Sequence, residues 1–454
     1  MSSIDTSIYG RGVGRPVPAR PQGAARRRWP LPWWTSPWGM LLFIVLPIYL
    51  AACYYNATVS YNVGQPIDFV DREAVLIGLF SIVVFALGCG FGSYVGFASG
   101  RSGPLVDGFT DTLSVRYFRM LRVCGYLSIL AYALFLGSLL TRMDLIAAML
   151  AGTRGASAQL HEALGRIPGI TSFIQIGYVF FALLAGRSFF TRKPIPFDIL
   201  VFALAIFLLT LARSIFASER LALLEVLAAI AVLPLSFYWR PSLLRLLIPF
   251  IGVVFVFVFF SIAEYFRSWQ YYQNFYNSFY DFMIERFIGY FSTSVNNGAG
   301  VHALNIELTW SQAFAWLYKF PIIGNKIFGD VADNWGLYLT LYGTLEFNNP
   351  GGMFVAVNEF GFFFGTLLNF AFGMFVGGAY ASFAKRNPYG VVLYPCLLLG
   401  VSDFVRIFYF GGARLFPIFM FAVLIAYYLN RPGRPAIHAS PQRFGGGLAV
   451  QRDA

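Results

Sequence analysis

Arg213 and Arg220 lie in the passage Leu211-Ala-Arg213-Ser-Ile-Phe-Ala-Ser218-Glu219-Arg220, which runs straight into the apolar Leu221-Ala-Leu-Leu-Glu225. Their spacing is two helical turns, so a continuous helix sets both guanidiniums on one face, with Glu225 about a turn further on. Two arginines beside a carboxylate suit a site that holds an anion and has an acid or base at hand. The plainer reading has the arginines reaching for phospholipid headgroups and Glu225 pairing with Arg220. A second stretch, Glu264 to Phe291, is nearly half aromatic and mixes its rings with Asn, Gln and acids. There Trp269, Tyr272, Tyr276 and Tyr280 offer flat faces for the C–H surfaces of a sugar, while amides and carboxylates hydrogen-bond its hydroxyls. An amphipathic helix in the headgroup layer accounts for the same composition. Glu264, Arg267, Asp281, Glu285 and Arg286 add acid–base and anion-binding groups to this stretch. Three histidines and scattered acids give no metal spacing, so no metal site is expected, and His302 reads as a solvated or structural residue. Ser-His-Asp and phosphate-loop signatures are absent. Cys53, Cys89, Cys124 and Cys396 show no paired spacing.

The elements that must position these residues are membrane helices. Of the 454 residues 58% are apolar and only 12% charged, about half the charged share of a soluble domain. Runs of roughly 17 to 25 nearly uncharged residues separate the charges, each long enough to cross about 30 Å of hydrocarbon. Ten such runs fall at 39–55, 74–97, 120–141, 169–190, 196–213, 220–238, 243–264, 353–384, 388–403 and 415–430. The 353–384 run exceeds one crossing, which predicts a short interfacial helix at its start or a strong tilt. The 388–403 run is short and holds Pro395. Leu50-Ala51-Ala52-Cys53 fits a lipoprotein cleavage box, but the polar segment before it is too long, and the first run reads as an uncleaved helix.

The net charge of +12 would suggest nucleic acid in a soluble protein; here it retains loops in the cytoplasm. With the N-terminus inside, Arg116, Arg119, Arg122, Arg187, Arg245, Lys385 and Arg386 all fall on cytoplasmic segments, together with the arginines of both tails. The expected architecture is an all-α polytopic integral membrane protein with about ten transmembrane helices and both termini cytoplasmic. Residues 1–38 form a disordered basic tail ending in an aromatic anchor. Residues 39–264 hold the first seven transmembrane helices, 265–352 form one large periplasmic loop containing amphipathic helices, 353–430 hold the last three, and 431–454 form a second cytoplasmic tail.

This arrangement resembles the bacterial oligosaccharide repeat-unit polymerases, the Wzy-type enzymes of O-antigen and exopolysaccharide synthesis. The likeness is carried by Ala212-Arg213-Ser214…Ser218-Glu219-Arg220 leading into an apolar span, and by the single large outer loop in the second half. It is carried also by Asn358-Glu359-Phe360-Gly361 re-entering the membrane ahead of Gly365, Gly373 and Gly377-Gly378. Arg154 and Gly165 match the Arg-x10-Gly spacing described for some members. The likeness spans about residues 40 to 430, by architecture more than identity. It implies an inner-membrane enzyme that moves a glycan from undecaprenyl pyrophosphate onto the terminal sugar of another lipid-linked repeat, with no cofactor, since the donor carries the energy. It implies pyrophosphate binding by Arg213, Arg220, Arg286, Arg406 and Arg414, the last two flanking the Gly411-Gly412 turn, and a general base at Glu219, Glu264 or Glu359. Membrane lipids, a chain-length regulator and a flippase are the implied partners. An O-antigen ligase shares the architecture; a flippase or transporter fits the long outer segment poorly.

Overall fold

The computed structural model describes residues 31–430 apart from 59–66, 100–110, 152, 154, 165–166, 168–170, 191–193, 218, 238–241, 309–311, 321–323, 325 and 327–333. The tails 1–30 and 431–454, and the Arg154/Gly165 pair, lie outside the described residues. Every regular element described is helical. Eight helices are long and apolar enough to cross a membrane: α1 (Pro37–Asn56), α2 (Arg72–Ala98), α3 (Val115–Leu139), α4 (Thr171–Phe189), α5 (Phe197–Phe216), α6 (Arg220–Phe237), α7 (Leu243–Glu264) and α9 (Gly352–Ala384). Between α7 and α9 lies α8 (Phe279–Ala303), and after α9 come two shorter apolar helices, α10 (Pro388–Ser402) and α11 (Leu415–Asn430). All ten apolar runs of the sequence are therefore helices, within a few residues. The protein is a helical membrane protein, and its backbone obeys the rule that polar groups in hydrocarbon must be satisfied within the chain. The helix starts carry caps: Asp71 accepts from Ala74 N on α2 at 2.8 Å, Ser278 from Asp281 N on α8 at 3.1 Å, and Asn387 precedes Pro388 at the first position of α10.

The tightest pair is α2 against α9. Gly88 and Gly92 on one helix meet Gly373 and Gly377 on the other so closely that a Cβ on Gly92 would sit 2.1 Å from the Met374 carbonyl oxygen, and one on Gly377 2.1 Å from that of Cys89. Small residues at four-residue spacing are how membrane helices gain contact when lipid is as apolar as leucine. At the centre lies α10, buried along nearly its whole length. Pro395 sits inside it, and the Tyr178 hydroxyl from α4 enters the helix there, donating to Val392 O at 2.7 Å and accepting from Cys396 N at 2.9 Å. An inserted hydroxyl of this kind lets a proline-bearing helix keep its backbone satisfied.

Two elements around the site gain detail that the sequence does not show. The long 353–384 run is broken at Gly361, whose φ of 73° and ψ of 170° are open to glycine alone. The break doubles the chain back, since Gly365 lies against Ala356 O, at 2.4 Å from its Cβ position. A short buried helix therefore leads the run, where its excess length predicts either a short interfacial helix or a strong tilt. The second is the main helix of the 265–352 segment: α8 is packed against α1 and α9, with Ser292, Thr293, Ser294, Asn296 and Asn297 all buried. Its asparagines and backbone carbonyls hydrogen-bond to the surrounding elements. Asn56 donates to Ser292 O at 2.9 Å, Asn296 accepts from Phe69 N at 2.7 Å, Asn297 donates to Phe347 O at 2.8 Å and Asn358 to Gly298 O at 2.9 Å. A helix that reads as half-polar is instead a hydrogen-bonding hub.

Candidate functional site

The charges that the sequence scatters over two hundred residues converge where α5, α6, α7, α10 and α11 turn. The chain does not run as one helix from Arg213 to Arg220: α5 ends at Phe216 and α6 begins at Arg220. The expected shared face is lost, and the two arginines turn to different carboxylates. Arg213 donates through Nε at 2.9 Å and through Nη2 to Glu219 Oε2, the same oxygen that Arg414 Nη2 engages at 2.5 Å. Glu225, fully buried on α6, accepts from the Tyr409 hydroxyl at 2.6 Å and lies 3.9 Å from Arg414 Nη1. Glu225 therefore faces Tyr409 and Arg414, away from the Arg220 partner the sequence suggests.

Arg220 instead reaches Glu264 at the end of α7, whose other oxygen receives Arg286 Nε at 2.5 Å. Arg286 also engages Glu346, and Glu346 accepts from the Tyr272 hydroxyl at 2.7 Å. Burial opposes the Arg286 charge, but Glu264 and Glu346 outweigh it and hold its pKa above the ordinary arginine range. Burial, followed by the bond to Glu346, raises the Tyr272 hydroxyl. Aromatic faces line the cations: Arg220 lies 4.4 Å from the Phe260 ring centre, Arg286 5.1 Å from Phe347, and Arg406 5.2 Å from Tyr290, one turn beyond Arg286 on α8.

The three candidate bases have distinct surroundings. Glu264 is wholly buried with both oxygens clamped by guanidiniums. Glu219 has one oxygen shared by two arginines. Glu359 touches neither cluster: its two oxygens accept from Gln312 N at 2.8 Å and Ala313 N at 2.9 Å. Ala313 in turn abuts the Gly411 turn, where a Cβ would fall 1.6 Å from Ala313 O, so Glu359 props the backbone between Arg406 and Arg414.

Those two arginines differ from the other three. Arg213 and Arg286 are buried and Arg220 nearly so, while the side chains of Arg406 and Arg414 are 25% and 31% exposed. Arg406 Nε and Arg414 Nη1 are themselves buried and make no hydrogen bond, lying 3.7 Å from Asp403 and 3.9 Å from Glu225. The aromatic residues are also split. Tyr272 stacks on Phe282 with ring centres 5.4 Å apart, Trp269 leans on the same ring at 5.5 Å, and Tyr276 meets it edge-on at 5.3 Å. Tyr280, 65% exposed, is the open face of the four. His302 lies 3.8 Å from Glu73, away from both clusters. The described residues hold no group of His, Cys, Asp or Glu placed to bind a metal. Glu346, Asp403 and Tyr409 belong to the site and escape the sequence reading; the one local signal is the three-residue spacing of Asp403 from Arg406 at the end of an apolar helix. No protein-family model, no curated protein and no solved structure matches this chain.

Proposed function

We propose that the protein joins lipid-pyrophosphate-linked oligosaccharide repeats into a surface polysaccharide, at the periplasmic face of the bacterial inner membrane. In this reading all ten apolar helices cross the bilayer, both termini are cytoplasmic, and residues 265–352 face the periplasm. The observation that supports it most is the pair of partly exposed guanidiniums, Arg406 and Arg414, each with one buried N–H group beyond hydrogen-bond reach of a protein acceptor, on either side of a glycine turn at the ends of membrane helices. A planar guanidinium fork grips phosphate oxygens in pairs and stays charged at every relevant pH. A pyrophosphate leaving group develops charge as its bond to the sugar breaks, and preset donors stabilise that charge without reorganising. Arg213, Arg220 and Arg286 then serve by fixing Glu219, Glu264 and Glu346, which hold the loop and α8 in place. Tyr280 supplies a sugar-facing ring. The donor brings its own energy, so the reaction calls for no cofactor; a flippase that delivers repeats and a chain-length regulator are the proposed partners.

Deletion of the gene tests this reading against its relatives. A polymerase deletion leaves single lipid-linked repeats on the outer face and no long glycan. Long polymer that remains on its lipid carrier points to a ligase, and single repeats trapped on the cytoplasmic face point to a flippase. Either of those two patterns rejects the polymerase.

A further inference from the structure

Five glutamates stand at the ends of these helices, and each has a carboxylate oxygen in a hydrogen bond: Glu219 and Glu264 to guanidiniums, Glu225 to Tyr409, Glu346 to Arg286 and Tyr272, and Glu359 to two backbone N–H groups. Asp403 does not, nor does Glu285 near the start of α8. Asp403 caps the C-terminal end of α10, and its carboxylate has one neighbour of opposite charge, Arg406 Nε at 3.7 Å, beyond hydrogen-bond reach. An acid at this end of a helix faces the negative pole of the backbone dipole, where a basic residue is favoured. The position thus breaks two local rules at once, offset by the ion pair with Arg406 and by no hydrogen bond, which is how a group kept for chemistry stands out from its neighbours. The side chain is 17% exposed, neither sealed like Glu264 nor fully solvated. It begins the short loop that carries Arg406, Gly411-Gly412 and Arg414, and that loop is held from beneath, with Gly352 packed on Phe404 O and Ile407 O.

We propose that Asp403 is the general base of the transfer, taking the proton of the acceptor sugar's hydroxyl beside the arginines that receive the leaving group. This rests on the polymerase reading of the same site. The hydroxyl oxygen bonds to the donor's anomeric carbon as that carbon's bond to the pyrophosphate oxygen breaks. The bonding pair leaves with the pyrophosphate, onto Arg406 and Arg414, and the proton passes to Asp403 and then to water. Burial raises the Asp403 pKa, against the opposing pull of Arg406. A raised value brings a carboxylate nearer to the operating pH, where a general base works best.

The test uses full-length protein in liposomes and, as probe, lipid-linked single repeats extracted from the deletion strain, with chain extension as the readout. Asp403→Asn keeps size and loses basicity. It should slow extension by about 10² to 10⁴-fold in kcat with little change in donor KM or melting temperature. The wild-type rate should climb with pH through a carboxylate limb that Asp403→Glu displaces and Asp403→Asn abolishes. Formate should restore part of the activity of Asp403→Gly. Asn activity within about fivefold of wild type overturns the base assignment while the polymerase stands. A loss that tracks a raised KM or a lowered melting temperature, without formate rescue, makes Asp403 structural and overturns it too. No extension by the wild-type protein overturns the function, and this inference with it.

Discussion

Arginine plays two parts at this site, and burial separates them. Arg286 has its guanidinium on Glu264 and Glu346 within the packing of α8, whereas Arg414 keeps Nη1 without a hydrogen bond at the edge of the glycine turn. Removing one member of a buried ion pair strands its partner, at a cost of about 3 to 5 kcal/mol. Arg286→Ala should therefore lower the melting temperature and the yield of folded protein. Arg414 is about a third exposed, and its contact with Glu219 is shared with Arg213, so screening and redundancy reduce the structural cost. Arg414→Ala should leave the melting temperature nearly unchanged while slowing extension about 10- to 100-fold, the worth of one charge-assisted contact of roughly 1.5 to 3 kcal/mol. Arg414→Lys keeps the charge but not the fork and should remain impaired. Melting and extension measured on the same preparations decide this. If Arg286→Ala melts like wild type, or Arg414→Lys extends at the wild-type rate, the division of roles fails.

At the scale of elements, glycines decide how close helices come and where one breaks. A side chain on Gly92 runs into backbone of α9, which cannot rotate away. Gly92→Leu should force α2 from α9 and cost on the order of 1 to 3 kcal/mol or more, seen as aggregation or loss of the monodisperse peak in size-exclusion chromatography. Gly90, two residues away with nothing within 4 Å of its Cβ position, is the control, and Gly90→Ala should be neutral. A second prediction concerns Gly361. Nothing crowds its Cβ position, so the cost of Gly361→Ala is conformational, about 1 to 3 kcal/mol for a backbone region closed to alanine. Because the leading arm of α9 carries Glu359 and packs on the 404–407 turn, this variant should lose activity beyond what its melting temperature explains. Wild-type extension from Gly361→Ala would show that the bend is not needed by the site.

For the whole molecule the question is which ends of the helices face out. The four cysteines are all buried, so the native protein gives little background with a membrane-impermeant maleimide. Tyr280, at the start of α8, and Arg119, near the start of α3, are both exposed. Tyr280→Cys should label in intact spheroplasts, and Arg119→Cys only after the membrane is opened. Equal labelling of both would reject the ten-span topology. The expectation follows from the run of arginines and lysines on the Arg119 side of the bundle, because positive loops resist translocation.

Helix positions were legible from the chain alone, because length and apolarity are local quantities: the 243–264 run is α7 residue for residue, while the overlong 353–384 run left a leading helix and a tilt both open and did not locate the break at Gly361. Charged residues could likewise be assigned to the ends of spans, since their cost in hydrocarbon leaves them few other places. Their partners could not be assigned. Arg414 meets Glu219 across 195 residues and Arg220 meets Glu264 across 44, pairings created only when separate helices pack. The same holds for α8, whose polar, aromatic sequence suits a membrane surface equally well until Asn56 of α1 and Asn358 of α9 donate to its backbone carbonyls and the loops at 67–69 and 347–349 partner its asparagines. It holds above all for Asp403. Its residue type is ordinary, and what sets it apart is its place at the end of α10 without a hydrogen bond, beside Arg406 and the glycine turn, which only the folded chain can decide.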